Sequence, residues 1–370
     1  MPRIRVLQTS DLQMSPDRPE SLRALDLILA TARERAADMV IIAGDLIDRN
    51  ADPSLMAPII RSALERSAPL PVVILPGHDD HAAFDETTDL GANAVRLHQM
   101  PVHKATVCGL DIVGVPWQRG RTLAECLIGV AMDPRHTVLV AHATLATGLT
   151  NAFCGEGAEG AFMPAFADDL FRRCTYAALG HVHAGENLIY REGERLVAYS
   201  GSPIAHSPRE LGQRGVLLVD FESSIGVVDH TFVPLPTRSY ALVEENCLPG
   251  EEAAAINRIV RRTNESRMPG VCIRARLSGI ALLSAPSLRA SLEDAIRQNS
   301  QNNLDGDELS EPNVRIEVDI TDFSGLADIP VVAEFIEKMR VSPENPHGAS
   351  ENVLRAALEI GLHSFREALP

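Results

Sequence analysis

Acidic and histidine side chains follow predicted strands at five points in the first half of the chain. They are Asp11 after the strand at 4–7, Asp45 and Asp48 after that at 39–43, His78 and Asp79 after that at 72–75, His142 after that at 137–141, and His181 and His183 after that at 176–179. The carboxyl ends of parallel strands share one edge of a sheet, where ligands bind. We therefore expect these side chains to face a common volume.

A volume lined by several carboxylates needs positive charge, because like charges at close range are costly. Imidazole and carboxylate groups without thiolate suit Mn, Fe or Zn. One carboxylate that bridges two ions would give a centre able to activate water for displacement at phosphorus. A lone Gly-Asp or a lone His after a strand is usually a structural turn residue, and only the ordered combination favours the metal centre. Gly44, Gly77 and Gly180 precede the predicted ligands and are expected to let the chain bend sharply there.

The elements that must position these residues alternate in type. The apolar runs Ile4–Leu7, Met39–Ala43 and Val72–Leu75 alternate with helical patterns, which predicts buried parallel strands covered by helices. Later strand patterns lie closer together, with Val107–Val115 as one of them, and predict a second, more antiparallel sheet. Two β-layers between helices would fit this order.

The pattern changes near residue 235, where prolines interrupt the chain. A β-α-β-α-β block follows and predicts a small α+β domain, and two amphipathic helices follow that block. The predicted boundaries are residues 1–235, 236–322 and 323–370. The apolar stripe of the last helix either packs on the protein's own core or docks on a partner.

Composition limits the classes of function. The chain has 370 residues, and 34 basic against 50 acidic residues give a formal net charge of −16. This charge excludes a protein that coats nucleic acid by bulk attraction. No run of eighteen apolar residues occurs, so no membrane span and no membrane partner are expected. Six scattered cysteines without a CxxC pair fit a reduced compartment, and a cytoplasmic location is expected.

The ordered motifs resemble those of the calcineurin-like metallophosphoesterases. In that family the order is Asp-x-His, Gly-Asp-x-x-Asp, Gly-Asn-His-Asp/Glu, a lone His and Gly-His-x-His. The matching segments here are residues 11–13, 44–48, 77–80, His142 and residues 180–183. Residues 199–204 and 274–279 resemble the branch of SbcD-type DNA repair exonucleases.

The resemblance implies an α/β fold, a four-layer α-β-β-α sandwich with a small α+β cap domain and C-terminal helices. It also implies a ligand set for two divalent metal ions. Asp11, Asp45 and His183 would hold the first ion, and Asp45 would bridge to a second ion that His142 and His181 complete. Asp48 would form hydrogen bonds within its own loop.

Two departures from the family pattern affect the predicted site. Gln13 stands where the family has a metal-binding His, so the first metal site should be weaker or more Mn-like. His78 stands at the position of the ligand Asn and could bind the second metal. Asp79 then replaces the imidazole that orients phosphate or protonates the leaving oxygen, a role that needs a raised pKa. In a rival alignment His78 is that acid, and Asp79 or His81 replaces the lost ligand.

The favoured hypothesis is a two-metal phosphodiester hydrolase, a DNA exonuclease or endonuclease subunit of SbcD type that uses metal-activated water. Mn is preferred as the metal, with Fe or Zn as alternatives. The expected partners are DNA, an SbcC-type coiled-coil ATPase and a second copy of the chain. One alternative is a phosphoesterase acting on small nucleotides or other small phosphoesters. Another is a degenerate, non-catalytic module that binds a partner or DNA.

Overall fold

The computed structural model describes residues 3–84, 87–146, 163–183, 188–222, 225–301, 314–340 and 351–368. Two compact units divide the chain, Met1–Tyr240 and Ala241–Pro370. None of the helices in the described ranges is long and apolar enough to span a membrane.

The first unit contains fourteen strands and four α-helices among its described residues. The strands are β1 (Arg3–Thr9), β2 (Met39–Ala43), β3 (Val72–Leu75), β4 (Ala94–Arg96), β5 (His103–Val107), β6 (Leu110–Val115), β7 (Thr137–His142), β8 (Thr144–Leu145), β9 (Pro164–Ala165), β10 (Tyr176–Gly180), β11 (Ile189–Glu192), β12 (Arg195–Tyr199), β13 (Gly215–Glu222) and β14 (Gly226–Pro234). The helices are α1 (Pro19–Glu34), α2 (Pro53–Ser67), α3 (Leu123–Cys126) and α4 (Ala167–Arg173).

Twelve of these strands form two six-stranded sheets. Their orders are β14-β13-β1-β2-β3-β4 and β11-β12-β10-β7-β6-β5, while β8 and β9 pair separately. In the first sheet β1 to β4 are parallel, and β13 and β14 are antiparallel additions. In the second sheet β12, β10, β7 and β6 are parallel, with antiparallel β11 and β5 at the edges. The prediction of a more antiparallel second sheet is therefore wrong, because both sheets have parallel centres.

The segment Val107–Val115 also differs from its prediction as one strand. It contains the last residue of β5, a turn and all of β6, and the two strands form a hairpin that pairs from His103 and Gly114 to Val107 and Leu110. The two-residue turn consists of Cys108 and Gly109, with φ angles of 51° and 81°. Two left-handed residues match the twist of an antiparallel pair, which permits this tight reversal. A turn of Cys and Gly carries too little sequence signal to separate two apolar runs.

Alternation along the strands produces the layers. Val40 and Ile42 of β2 pack in the core that also contains Leu25 of α1 and Ile60 of α2. Ile41, between them, belongs to a second core that lies between the two sheets. Successive side chains of a strand point to opposite faces, so one apolar strand serves both cores.

A third core covers the outer face of the second sheet. It joins Leu139 of β7 with Leu123 of α3 and Leu170 of α4. The order of layers is thus helices, sheet, sheet, helices, and the expected four-layer α/β sandwich is confirmed.

A buried polar bridge joins the two sheets near the predicted site. The Nε2 of Gln8, on β1, donates to the carbonyl oxygens of Leu179 and Ala198 at 2.9 and 3.0 Å. The hydroxyl of Tyr176 donates to Gln8 Oε1. Because a buried amide is costly unless it is hydrogen-bonded, this bridge favours one alignment of the sheets.

The second unit is built on a three-stranded sheet with helices. Its elements are β15 (Ser239–Cys247), α5 (Glu252–Glu265), β16 (Val271–Ala281), α6 (Ala285–Gln301), β17 (Val314–Asp322), a 3₁₀ turn (Ser324–Leu326), α7 (Pro330–Arg340) and α8 (Glu351–Ala368). The sheet order is β15-β16-β17, and β16 and β17 are parallel from Ile273 and Val314 onward. This is the expected small α+β arrangement followed by helices.

The apolar stripe of α8 packs largely on its own unit. Leu358 and Leu362 are fully buried in a core with Ile336 of α7 and Phe323. Val353 remains 58% exposed. The centre of the stripe therefore stabilises the fold of this unit.

Candidate metal centre

The loops that follow five strands of the two sheets meet at one edge of the first unit. The Asp11 N–H donates to the Gly44 carbonyl at 3.0 Å. The N–H of His181 donates to the Asp11 carboxylate at 3.0 Å, and that of Asp79 donates to Asp45 Oδ1 at 2.9 Å. Asp11 and Asp45 both have positive φ, at 56° and 51°. Such strain is typical of functional sites, where the surrounding bonds hold the backbone in place.

Close packing, rather than bending, explains two of the three glycines before these residues. Gly44 has a φ of 98°, which fits the expected bend. Gly77 and Gly180 do not have positive φ, so their backbone angles do not by themselves require glycine. A Cβ at Gly77 would meet the Asp45 carboxylate, and one at Gly180 would meet the carbonyl of Ala43. The absence of side chains allows the loops to approach each other.

Three imidazoles and one carboxylate form the first half of the candidate centre, which we call the histidine subsite: His78, His142, His181 and Asp45. The ligand-capable atoms of the three histidines all lie within 4.8 Å of one another. His78 Nδ1 is 3.2 Å from His142 Nε2. Asp45 Oδ2 is 2.8 Å from His78 Nδ1 and 3.3 Å from His142 Nε2. This set has the mixed nitrogen and oxygen donors of a transition-metal site.

The other half, which we call the carboxylate subsite, contains Asp11, Asp45 and His183. Asp11 and Asp45 group with His142 within 4.8 Å, so Asp45 is common to both halves. His183 Nε2 lies 3.4 Å from Asp11 Oδ1. The amide of Gln13, which the sequence suggests as a further ligand here, donates instead to the Asp79 carboxylate at 3.4 Å.

Asp79 lies beside the histidine subsite and is paired with a cation. Its Oδ1 is 2.7 Å from the Arg49 guanidinium and 3.1 Å from His78 Nε2. Burial and the charge of Asp45 raise the pKa of Asp79, while His78 and Arg49 oppose this shift. The structure thus places His78 toward Asp45 and His142, and places Asp79 toward Arg49. Asp79 also groups with Asp45 and His78 within 4.8 Å, so both alignments keep a candidate ligand here.

Asp48 and Asp80 hold the loops without facing the centre. Asp48 Oδ1 accepts the N–H of Asn50 at 2.9 Å, a bond within its own loop. Asp80 accepts the N–H of Leu46 at 2.7 Å and that of Gly77 at 2.6 Å, so it ties the loops after β2 and β3 together. Burial and the charge of Asp45 raise the pKa of Asp80 to about 7. Sequence reasoning missed this role, although the paired acids at 79 and 80 were a usable signal.

Glu210 and His206 are site residues that sequence reasoning also missed. Glu210 Oε1 is 3.2 Å from His183 Nδ1. The Nε2 of His206 is 2.8 Å from the Asp11 carbonyl oxygen, so it donates to that oxygen. The two residues lie in a segment with no recognisable ligand motif, and only the fold brings them to the site.

Trp117 borders the centre. Its ring centroid is 6.4 Å from that of His78 and 5.3 Å from that of His81. The side chain is only 9% exposed and belongs to the outer core of the second sheet. It therefore forms part of the wall beside the histidine subsite.

Neighbouring charges shift the pKa values of several groups in the centre. Burial disfavours the charged form of Asp11, but the hydrogen bond and charge of His183 outweigh it and lower the pKa of Asp11 to about 2. Burial likewise opposes protonation of His183, yet Asp11 and Glu210 raise its pKa to about 10. Burial and the charges of His142 and His78 lower the pKa of His181 to about 3. Carboxylates this deep need cations, which protons on imidazole or metal ions can supply.

The residues present fit a divalent metal ion. Asp45 Oδ2 is fully buried and receives no well-formed hydrogen bond from the described residues, although two imidazole nitrogens lie within 3.3 Å. A buried carboxylate oxygen in that state is costly unless a cation approaches it. Oxygen and imidazole donors at this spacing suit Mn, Fe or Zn.

Comparison with known proteins agrees with this centre. Residues 4–184 match the family model described as calcineurin-like phosphoesterase. This segment is a calcineurin-like phosphoesterase domain. The family binds two divalent metal ions and is a family of hydrolases. The resemblance inferred from the motif order is thereby confirmed.

The chain is also similar to the SbcD component of the nuclease SbcCD from Escherichia coli strain K12. The two are 24% identical, over 63% of this chain and 69% of the relative. Solved structures with similarity include a protein of Thermus thermophilus, with 12% identity, a TM-score of 0.39, and coverage of 63% of this chain and 99% of that one. A dimetal phosphatase from Danio rerio has 9% identity and a TM-score of 0.38, with coverage of 62% and 98%.

Proposed function

We propose that this calcineurin-like phosphoesterase is a two-metal phosphodiesterase that cleaves DNA, in the manner of an SbcD-type nuclease. The convergence of Asp11, Asp45, His142 and His181 at one edge of the sandwich is the observation that carries the chemistry. The similarity to the SbcD component of the nuclease SbcCD supports the substrate.

Each ion would have its own ligands, with Asp45 shared between them. Asp11 and His183 would complete the first site, and His78, His142 and His181 would complete the second. When bound, two such ions generate a hydroxide-like nucleophile and stabilise the attacking and leaving oxygens of a displacement at phosphorus. Mn is the metal we propose first, because the carboxylate subsite is rich in oxygen donors.

The chain's own residues would orient the phosphate. The Arg49 guanidinium is 44% exposed and lies 2.7 Å from Asp79, so it presents a planar cation at the rim of the histidine subsite. Guanidinium donors match the geometry of phosphate oxygens. Asp79 would fix Arg49 and stand in for the imidazole of the family motif, and His78 would serve as a metal ligand.

We further propose that the chain acts with partners. An SbcC-type coiled-coil ATPase and a second copy of the chain are the protein partners expected of an SbcD-like nuclease. The predicted regions at residues 1–235, 236–322 and 323–370 would be the catalytic domain, a domain that controls DNA access, and a helical tail. A cytoplasmic location is part of the same proposal.

The test is hydrolysis by the Mn-loaded protein. We expect cleavage of bis(p-nitrophenyl) phosphate and of linear DNA, and we expect Asp45→Ala to lose both activities. Elemental analysis should find two ions per wild-type chain. Absence of hydrolysis of either substrate, with Asp45→Ala indistinguishable from wild type, would contradict the proposal.

A second candidate is a phosphoesterase for small nucleotides. The observation in its favour is charge, because the net charge is −16 and Arg258 and Arg262 of α5 both pair with Glu245, at 3.0 and 2.8 Å. These arginines are a weaker candidate for phosphate contacts along DNA than unpaired ones would be. Comparing turnover of DNA with that of nucleotides and cyclic nucleotides separates the two substrate classes.

A further inference from the structure

A closed set of polar contacts surrounds the Nδ1 edge of His183. Glu210 Oε1 lies 3.2 Å from His183 Nδ1, and Glu210 Oε2 accepts the N–H of His206 at 3.0 Å. The Nε2 of the His206 ring donates to the Asp11 carbonyl oxygen at 2.8 Å. Since the opposite edge of His183 faces the Asp11 carboxylate, these four residues form one connected ring of contacts.

Arg214 holds Glu210 and His183 in this arrangement. Its side chain is fully buried, and its guanidinium donates to the carbonyl oxygens of His183 and Glu210 and to Ser202 Oγ. Its Nη2 is also 3.9 Å from Glu210 Oε2. A buried guanidinium is costly unless it is hydrogen-bonded, so Nη1 and Nη2 restrain the segments that accept their hydrogen bonds, while Nε has no acceptor among the described residues.

The contacts of Glu210 fix the tautomer of His183. A carboxylate only accepts hydrogen bonds, so the bond to Glu210 places the proton of a neutral His183 on Nδ1. Nε2, which is 3.4 Å from Asp11 Oδ1, is then the atom that would offer its lone pair to a metal ion in exchange for the proton that it shares with that carboxylate. A carboxylate on the far nitrogen of a ligand imidazole orients the ring and strengthens it as a donor.

The metal affinities of the two subsites should depend unequally on the positioning of a single imidazole. The histidine subsite has three imidazoles, whereas the carboxylate subsite has His183 as its one imidazole beyond those three. The Gln13 amide nitrogen donates to Asp79 and offers no lone pair to a metal ion. We therefore expect the metal affinity of the carboxylate subsite to depend strongly on the orientation of His183. The metal affinity of the histidine subsite should depend less on any one of its imidazoles.

We propose that Glu210 is a positioning residue that holds His183 with Nε2 toward the carboxylate subsite and thereby sets the metal affinity of that subsite. The inference rests on the proposed two-metal function. It assigns a role to a residue outside every motif of the sequence.

The test is calorimetric titration of metal-free protein with Mn²⁺, for wild type and Glu210→Gln. The amide keeps the size of the side chain but removes the charge that supports Nδ1–H. We expect one of the two Mn²⁺ sites to weaken by about 10- to 100-fold. The other site should stay within about twofold, and circular dichroism should show a folded protein.

A double-mutant cycle with His183→Ala separates positioning from a general structural effect. If Glu210 acts through His183, Glu210→Gln lowers the Mn²⁺ affinity no further in the His183→Ala background. Glu252→Gln is the matched control, because Glu252 is a buried acid of the second unit that accepts the N–H of Leu282 at 2.8 Å. We expect it to lower the Tm without changing either Mn²⁺ affinity.

The outcomes distinguish the inference from the function on which it rests. Two wild-type Mn²⁺ sites that Glu210→Gln leaves unchanged would overturn the role of Glu210 alone. A further loss of affinity in the His183→Ala background would overturn it as well. A wild-type chain that binds no Mn²⁺ would overturn the proposed two-metal function itself.

Discussion

The two units of the chain use similar strand–helix–strand units but treat their charged residues differently. In the first unit, acids and histidines at strand ends are buried, as Asp11, Asp45 and His142 show. In the second unit, charges on the parallel pair β16 and β17 are solvent-accessible and matched, with Arg276 2.8 Å from Asp319. Parallel strands alone therefore do not make a site. The candidate centre arises where the fold buries carboxylates and imidazoles together.

The largest expected effect comes from replacing one acid in each unit. Asp45→Asn removes the charge that would bridge the two ions under the proposed function, and we expect phosphoesterase activity to fall by about 10³-fold or more, because two-metal stabilisation contributes several kcal/mol. Asp319→Asn removes an exposed partner of Arg276 and should leave activity unchanged. Steady-state kinetics with bis(p-nitrophenyl) phosphate measure both. Equal losses in the two variants would break the comparison between the units.

The next largest expected effect is on the free energy of unfolding, when alanine replaces one glycine in each unit. A Cβ at Gly180 would meet the Ala43 carbonyl and the His142 ring, whereas one at Gly325, in the second unit, would meet no atom within 4 Å. We expect Gly180→Ala to lower the free energy of unfolding by about 3 kcal/mol through overpacking. Gly325→Ala should change it by less than about 1 kcal/mol. Urea denaturation measures the two values, and tolerance of Gly180→Ala would show that the loops can separate.

An ion pair across two strands gives a smaller, pH-dependent effect. Asp220 lies opposite Arg5 in the pairing of β1 with β13, at 2.8 Å, and also contacts Arg3. Burial opposes ionisation of Asp220, yet the hydrogen bond and charge of Arg5 lower its pKa. Its stabilisation is therefore present above the unfolded pKa of about 4 and is lost as pH falls through the lower folded pKa.

Asp220→Asn should consequently destabilise the first unit by about 1 kcal/mol at neutral pH, since both arginines are partly exposed. The difference from wild type should shrink as the pH falls below about 4, because the unfolded chain takes up the proton first and the folded carboxyl, with its lowered pKa, takes it up afterwards. Urea denaturation at neutral pH and at a pH below about 4 tests this. A difference that grows on acidification would contradict the assigned direction of the pKa.

The smallest expected effect is on an exposed helix pair of the second unit. Arg261 and Glu265 of α5 lie 3.8 Å apart and are both about two-thirds exposed. Arg261→Gln should change the free energy of unfolding by about 0.5 kcal/mol or less and weaken no Mn²⁺ site. Thermal denaturation and Mn²⁺ titration check this. Loss of DNA binding in this variant alone would show that the helix contacts phosphate.

Much of the fold was predictable because buried strands have continuous apolar patterns. Met39–Ala43 and Val72–Leu75 were found with their observed bounds, and the order of motifs predicted the four-layer sandwich. The hairpin at Cys108 was missed, because a reversal of two residues leaves little trace in hydrophobic periodicity.

The candidate site was predictable where a candidate ligand lies at the end of a strand or within a few residues of it. Asp45 and His142 follow this rule, whereas Glu210 and Arg49 reach the site from loops whose course depends on tertiary packing. The same limit applies to Gln13, whose position was predictable but whose bond to Asp79 was not. Sequence spacing predicts where a residue lies relative to the end of a strand. The direction of its polar side chain depends instead on all its neighbours in the fold.

Trp117 has a practical consequence for measuring this protein. It is the single tryptophan of the chain, and its indole lies beside the rings of His78 and His81. Emission from that indole therefore originates at the wall of the centre and from no other tryptophan. Intrinsic fluorescence should follow occupancy of the histidine subsite in real time, without any attached dye.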